Sequence, residues 1–153
     1  MKTPDELTDL FRSRGLKVTP QRQMIFRVLN DDLAHPTADT VYARASAQMP
    51  TMSLRTVYQT LHDLAAMGEV TQIDLGTGST RFDTNLAAHQ HLVCQGCGAV
   101  RDVVVAPIDL DEGDLEGFAV SSTDIVFRGL CARCTGSTHP STNQLHEEII
   151  NNA

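Results

Sequence analysis

The 153-residue sequence lacks any apolar run that approaches the length of a membrane-spanning helix. Such a helix needs roughly 18 or more consecutive apolar residues, so the sequence excludes a protein anchored by one. The first residues, MKTPDELTDLF, also lack the basic-then-apolar order of a signal peptide. We therefore expect a cytoplasmic protein with no membrane partner.

The sequence also lacks HExxH or an equivalent metal-binding helix motif. A metallohydrolase needs a general base beside an open zinc site, and that motif is one common way to supply both. No other pattern here offers such a base. We therefore expect a protein that is not an enzyme.

Positive charge is scarce in the second half of the chain. Residues 85–153 carry three Lys and Arg against nine Asp and Glu, whereas residues 1–84 carry nine against ten. The overall charge of −7 argues against a nucleic-acid partner. However, the basic residues lie almost entirely in the first half, and bound cations would offset the acid of the second. A solvated face in either half remains the alternative.

All four cysteines fall in two CxxC pairs, Cys94 with Cys97 and Cys131 with Cys134. Each pair lets a tight turn present two thiolates to one tetrahedral ion, and four thiolates close the coordination shell. The pairs therefore favour one structural zinc ion per chain. A redox or disulfide pair and a rubredoxin-like iron site remain alternatives. The absence of an export signal makes disulfides less favoured.

The first half predicts four helices, which begin after the capping residues Thr3, Thr19, Thr37 and Ser53. A glycine turn, GTGS, between two short β-prone runs then predicts a β-hairpin. Four helices followed by a hairpin are typical of a winged helix-turn-helix domain, here residues 1–84, whose fourth helix enters the major groove of DNA. The exposed face of that helix presents Arg55, Thr56, Tyr58 and Gln59. Leu54 is assigned to its apolar face. A helical domain that contacts nothing with this face is the alternative.

The second half predicts an α+β fold for the whole chain. Residues 85–88 are small and polar and are interpreted as a hinge, and residues 89–135 as a small α/β domain. Strands are expected at LVC, VRDVVV, FAVSS and DIVFRGL, and a short helix within PIDLDEGDLEG. Residues 136–153 are rich in Ser, Thr and Asn and are expected to form a mobile tail.

Histidines and carboxylates surround the first CxxC pair. His89 and His91 lie two residues apart, so on a strand their imidazoles point to the same face and can reach one ion. Asp83, Asp102 and His35 are unremarkable when each is taken singly. Paired surface histidines are common, so these five residues alone do not establish a site.

In combination and order, several motifs resemble those of the ferric-uptake-regulator family of bacterial metal-dependent repressors. The motifs are VTPQR at 18–22, AHPTAD at 34–39, SLRTVYQTL at 53–61, TRFD at 80–83, HQHLVCQGCG at 89–98 and CARC at 131–134. The resemblance implies an N-terminal winged-helix domain, a C-terminal dimerisation domain, a structural zinc ion and a regulatory metal near the hinge. It also implies a homodimer bound to an inverted-repeat operator in double-stranded DNA, with Arg22 and nearby basic residues on phosphates.

Carried over residue by residue, the resemblance implies that the regulatory ligands are His35, Asp83, His89, His91 and Asp102. With aspartate at position 83 the sequence resembles the peroxide-sensing members of the family, whereas iron-responsive members usually have glutamate there. This shell of nitrogen and oxygen suits one Fe²⁺ or Mn²⁺ per subunit and leaves one octahedral position open. Peroxide could enter there, with His35 and His89 as the oxidation-sensitive ligands.

The sequence therefore predicts a metal-dependent repressor that senses peroxide through oxidation of its ligand histidines. An iron- or manganese-level sensor of the same family is the alternative. A zinc-stabilised interaction module without specific DNA binding is a third interpretation.

Overall fold

The computed structural model describes residues 1–30, 34–106, 112–121 and 123–136. Helices α1–α4 are followed by a two-stranded hairpin, a three-stranded sheet and two single-turn helices. In chain order the elements are α1 Pro4–Ser13, α2 Pro20–Asn30, α3 Ala38–Gln48, α4 Leu54–Ala66, β1 Thr71–Ile73, β2 Arg81–Asp83, β3 Gln90–Cys94, β4 Val100–Val103, α5 Glu112–Leu115, β5 Val126–Gly129 and α6 Ala132–Thr135. The expected α+β fold is confirmed.

Local capping explains where the helices begin. Thr3 and Glu6 form a reciprocal capping box at α1, and the hydroxyl groups of Thr37 and Ser53 accept backbone N–H groups at α3 and α4. Each cap gives a partner to an N–H group that the first turn would otherwise leave unsatisfied. Gly68 adopts a φ of +71° after α4, a conformation that favours glycine.

The four helices enclose the main apolar core. Its fully buried side chains include Phe11 and Phe26, whose rings meet edge to face with centroids 4.9 Å apart. On α4 the expected apolar stripe is wrong at one position, because Leu54 is 38% exposed. Thr60 is buried instead, and its hydroxyl donates to the carbonyl of Thr56, which satisfies it within the helix.

The hairpin extends from this core toward the second half of the chain. Strands β1 and β2 pair antiparallel, with Thr71 opposite Asp83, and Phe82 of β2 is buried among the helices. The backbone N–H of Phe82 donates to the carbonyl of Pro36 over 2.9 Å. The loop before α3 therefore lies beside β2, and this contact brings His35 toward Asp83.

The second sheet has the order β4-β3-β5. Strand β3 is antiparallel to β4 and parallel to β5. A small second core forms under it from Leu75, Val93 and Val100. Within the described residues 118–121 of FAVSS there is no strand, so that prediction is wrong. No strand of the described chain pairs with this segment, and its first side chain, Phe118, is 81% exposed.

Some predictions cannot be compared with the structure. Residues 137–153 of the expected tail lie outside the described residues, as do residues 107–111 of the expected acidic helix. Only the turn Glu112–Leu115 of that helix is described. The boundaries 1–84, 85–88 and 89–135 stay predictions. No helix in the described part of the chain is long and apolar enough to cross a membrane.

Candidate metal centres and nucleic-acid face

Three segments of chain meet at a cluster of histidines and carboxylates. His35 lies in the loop before α3, Asp83 ends β2, His89 precedes β3 and His91 lies within β3. One ligand atom from each of these four residues lies within 4.8 Å of the other three. The fold thus brings together residues that the sequence separates by up to 56 positions.

The distances within the cluster are those of ligand atoms around a common point. His89 Nε2 lies 2.8 Å from Asp83 Oδ2 and 3.1 Å from His91 Nε2. An ion bound at roughly 2.0–2.2 Å has adjacent octahedral ligands about 3 Å apart. The nitrogen and oxygen atoms therefore fit such an ion.

Asp102, the fifth predicted ligand, borders the cluster from β4. Its Oδ1 lies 2.8 Å from Nε2 of His35 and 3.7 Å from Nε2 of His89. Its register opposite His91 in the β3–β4 pair fixes this position. All five predicted residues are therefore neighbours, although their role as ligands stays a prediction.

His35 carries the clearest sign that the cluster is built for a ligand. The residue is 3% exposed, and neither ring nitrogen has a well-aligned hydrogen-bond partner within the described part of the chain. Its backbone has a φ of +52°, which costs on the order of 1–3 kcal/mol for a residue other than glycine. A buried imidazole beside two carboxylates, with no well-aligned hydrogen bond and in strained backbone, fits a metal ligand.

The tautomer of His89 is set by a backbone carbonyl on the side of the ring that faces away from the cluster. Its Nδ1 lies 2.7 Å from the carbonyl oxygen of Ala87, which can only accept, so Nδ1 carries the proton. In the neutral imidazole the lone pair is then on Nε2, which faces the cluster. Burial lowers the pKa of His89, but the Ala87 carbonyl and the Asp83 carboxylate outweigh burial and raise it, so metal binding displaces a proton from Nε2. A backbone carbonyl that holds the far nitrogen is the usual outer support of a ligating histidine.

Asn85 was missed by sequence reasoning, which assigned it only to a hinge. Its backbone N–H donates to Asp83 Oδ1 over 2.8 Å, and its side-chain Nδ2 donates to Asp102 Oδ2 over 2.7 Å. One residue therefore holds an oxygen of each carboxylate. The Asp-x-Asn spacing, which is typical of a turn closed by an aspartate side chain, is the signal that could have identified it.

Electrostatics keep the cluster ready for a cation. Burial raises the pKa of Asp83, but the His35 imidazole and the Asn85 backbone N–H outweigh burial and hold this pKa at about 2. Burial lowers the pKa of His91, and the neighbouring His35 and His89 lower it further. An ionised carboxylate beside a neutral imidazole is the state that binds a metal.

The four cysteines form a second cluster at the end of the sheet. All four are free thiols, and their sulfur atoms lie within 4.8 Å of one another. The sulfur atoms of Cys97 and Cys131 are 3.8 Å apart. That separation matches the edge, about 3.8 Å, of a tetrahedron with zinc–sulfur bonds of roughly 2.3 Å. The cluster fits Zn²⁺.

The turns that carry these thiols leave little space. At Gly96 a Cβ atom would lie 3.0 Å from the Sγ of Cys134, so only glycine fits there without a shift. The backbone N–H groups of Cys131 and Cys97 lower the pKa of Cys94 to about 6, whereas the neighbouring thiols, Cys131 first, raise that of Cys134 to about 12. Four adjacent thiols cannot all ionise without a cation, and bound zinc would supply that charge.

The predicted DNA-contacting residues of α4 lie along one side of a cleft. Arg55, Tyr58 and Gln59 line this cleft of about 600 Å³ between α4 and the hairpin. Tyr58 is 52% exposed. The hydroxyl of Thr56 lies 2.8 Å from that of Ser53 and belongs to the helix cap. These four residues stay a predicted DNA interface.

Arg22 is engaged within the protein. Its guanidinium lies 2.6 Å from Asp63 Oδ2, donates to the carbonyl of Lys17 and stacks 5.0 Å above the ring of Phe11. Only 14% of its side chain is exposed. These contacts give Arg22 a packing role between α1, α2 and α4. The contact of Arg22 with a DNA phosphate stays a prediction.

A winged-helix half that shares a histidine–aspartate cluster with a zinc-binding half defines a class of metal-responsive DNA-binding regulators. The model of the Ferric uptake regulator family matches residues 13–127, and the chain belongs to this family. The family consists of transcriptional regulators that bind DNA and are typically dimeric; they are not enzymes.

Individual relatives are similar along most of their length. The chain is 33% identical over 133 residues to the "Peroxide operon regulator" of Bacillus subtilis (strain 168), which covers 85% of this chain and 92% of that one. A solved "zinc-bound manganese uptake regulator" is 26% identical with a TM-score of 0.65, covering 85% of this chain and 99% of its own. A PerR structure from Streptococcus pyogenes, described as a basis for peroxide sensing and gene regulation, is 25% identical with a TM-score of 0.51, covering 88% and 94%.

The predicted classes of metal site are confirmed by this membership. The four-cysteine cluster and the histidine–aspartate cluster match the structural zinc sites and the regulatory metal sites of solved family members.

Proposed function

We propose that the protein is a cytoplasmic, metal-dependent transcriptional repressor that releases its operator when peroxide oxidises the regulatory site. One observation carries the proposal. His35 and Asp83 belong to the winged-helix half, His89 and His91 lie beyond residues 85–88, and all four ligand atoms converge within 4.8 Å. An ion held by residues from both halves would fix their relative position.

The regulatory ligands in this proposal are His35, Asp83, His89, His91 and Asp102. The structural zinc ligands are the four cysteines. An ion shifts a conformational equilibrium only by its preference for one state. The metal-bound arrangement of residues 1–84 and 89–135 is the one that fits DNA, and the hinge at 85–88 allows others when the metal is absent.

The DNA contact is assigned to α4. Arg55, Thr56, Tyr58 and Gln59 face the major groove of the operator. Because two protomers bind together as a homodimer, the operator is an inverted repeat whose half-sites follow the two-fold symmetry of the protein.

Peroxide sensing is favoured by the similarity of the chain to peroxide-responsive regulators and by aspartate at position 83. Bound Fe²⁺ would supply the redox chemistry that activates peroxide, which Mn²⁺ would not supply, while the two electrons that reduce peroxide come in net from the imidazole that is oxidised. Within the protein, a ring carbon of His35 or His89 gains one oxygen atom, and the other oxygen of peroxide leaves as water. An imidazole modified in this way loses its donor geometry, so the cluster no longer binds metal and the ion no longer fixes the relative position of the two halves.

A metal-level sensor is the second candidate, because the solved manganese uptake regulator is similar over 85% of this chain. In that case metal binding alone would control DNA affinity, and peroxide would have no specific effect at the histidines.

The test is operator binding with Fe²⁺ and with Mn²⁺, each before and after brief peroxide treatment, followed by peptide mass spectrometry. We expect loss of DNA binding only with Fe²⁺, together with a gain of one oxygen atom on His35 or His89. His62, which lies on α4 outside the cluster, serves as the internal control and should stay unmodified. Equal oxidation with both metals, or oxidation confined to cysteines, would support the metal-level sensor instead.

A further inference from the structure

The β-hairpin packs on the second sheet as well as on the helices. Leu75, which follows β1, is 2% exposed, and it is buried with Val93 and Val100 of the second sheet. Ile73 packs against the same small core. The end of the first hairpin strand therefore belongs to the apolar core of the zinc-binding half.

An arginine from the second sheet holds the same point of the hairpin. Arg128 of β5 donates from Nη1 to the carbonyl oxygen of Leu75 over 2.7 Å. Its guanidinium also lies against Gly76, where an added Cβ would be 3.4 Å from Nη2. Strand β5 leads directly to the second cysteine pair, so this contact ties the hairpin to the zinc-bearing strand.

A second arginine makes the reciprocal connection. Arg81 of β2 donates from Nη2 to the carbonyl of Gly98 over 2.8 Å, and from Nη1 to the carbonyl of His35 over 3.0 Å. Gly98 directly follows Cys97 in the first cysteine turn. One guanidinium thus joins the cysteine turn to the strained residue that the proposed function makes a regulatory ligand.

We propose that Leu75, Arg81 and Arg128 form a hairpin clamp that raises the fraction of metal-free protein in the metal-competent arrangement. Each half supplies one arginine, and each arginine donates to a backbone carbonyl of the other half. Because the clamp contains no ligand of either metal cluster, it acts through position alone. These are positioning residues for His35 and Asp83.

The consequence for the metal follows from linkage. An ion that binds only one arrangement has its apparent affinity reduced in proportion to the fraction of protein outside that arrangement. Releasing the clamp lowers the competent fraction and therefore weakens metal binding without removing a ligand. The effect on operator binding rests on the proposed function, whereas the effects on the hairpin and on Mn²⁺ affinity do not.

The test compares Arg128→Ala with Arg101→Ala, which removes an exposed arginine from β4 of the same sheet. Zinc-loaded protein without regulatory metal is examined first, by hydrogen exchange of the 74–80 amides. Electron paramagnetic resonance of free Mn²⁺ then gives the metal affinity. For Arg128→Ala we expect faster exchange and an Mn²⁺ dissociation constant raised about 10-fold, with zinc content unchanged. Arg101→Ala should match the unmodified protein in both.

If Arg128 only stabilises the hairpin, the two measurements should not change together. Faster hairpin exchange with unchanged Mn²⁺ affinity would overturn the clamp as a positioning device. If Arg128→Ala loses zinc or unfolds, Arg128→Lys decides, because it keeps one donor toward the Leu75 carbonyl but loses the packing against Gly76. An intermediate Mn²⁺ affinity for that variant supports the clamp, and unchanged affinity refutes it. Neither measurement uses DNA, so absence of operator binding would contradict the proposed function and leave the clamp standing.

Discussion

At the scale of single residues, the cluster depends on backbone and side-chain groups of residues that are not themselves predicted ligands. The Ala87 carbonyl fixes the His89 tautomer, and Asn85 holds one oxygen of each carboxylate. The five predicted ligands came from the resemblance to the family's motifs, because the residues taken singly are unremarkable. Asn85 was missed, since a small polar residue in a connecting segment has many ordinary uses.

Asn85→Ala tests this support. The variant keeps the backbone N–H to Asp83 but removes the side-chain donor to Asp102 and the acceptor of the Ala87 N–H, so Asp102 loses its orientation and the turn that holds His89 loses one hydrogen bond. Losing such an outer partner typically costs about 10–100-fold in metal affinity, and we expect Mn²⁺ affinity near the lower end, measured by titration calorimetry. Leu86→Ala, at the exposed neighbouring position, is the control. Equal Mn²⁺ affinity for the two variants would remove Asn85 from the site.

At the scale of elements, sequence was informative wherever a helix or turn is decided locally. Capping residues and glycines set the helix boundaries that the structure has. The prediction failed at FAVSS, because a strand forms only with a partner strand, and residues 118–121 have none in a single described chain. The prediction that Leu54 is buried also failed, because helical periodicity does not show whether the core extends as far as the first turn of α4.

Helix α4 carries the element-scale prediction. If its exposed face reads bases, Arg55→Ala and Tyr58→Ala should each weaken operator binding by about 1–3 kcal/mol and relax its sequence preference. Fluorescence anisotropy with operator and scrambled DNA measures both. Arg12→Ala, which removes a charge from the exposed Arg12–Asp9 pair on α1, is the matched control. Losses equal to those of the control would mean that α4 does not read the operator.

At the scale of the whole molecule, the two halves are joined by contacts that no local pattern encodes. The hydrogen bond from Arg128 to Leu75 spans 53 residues, and its acceptor is a backbone carbonyl, which every residue has. Sequence therefore predicted two halves and a hinge but not the contacts that set their arrangement. The cysteine cluster was predictable although 34 residues separate Cys97 from Cys131, because two CxxC pairs indicate a shared ion whatever their separation.

In the cysteine cluster, steric crowding of the thiols can be separated from the loss of one thiol ligand by three substitutions. Gly96→Ala keeps all four thiols but places a methyl group 3.0 Å from the Sγ of Cys134, so the site must distort to hold zinc. Gly136→Ala makes the same change beside the second cysteine pair, where no atom of the described residues lies within 4 Å of the new methyl group. Cys97→Ser removes a ligand outright and opens the shell.

Because structural zinc contributes directly to folding, zinc retention and stability should fall together. We expect Gly136→Ala to match the unmodified protein, Gly96→Ala to release zinc faster to a chelator and melt earlier, and Cys97→Ser to lose zinc and the dimer. Zinc release is followed with a chromogenic chelator, melting by circular dichroism and dimerisation by light scattering. A zinc-free Cys97→Ser protein that stays dimeric with an unchanged melting temperature would show that the cluster does not hold the fold together.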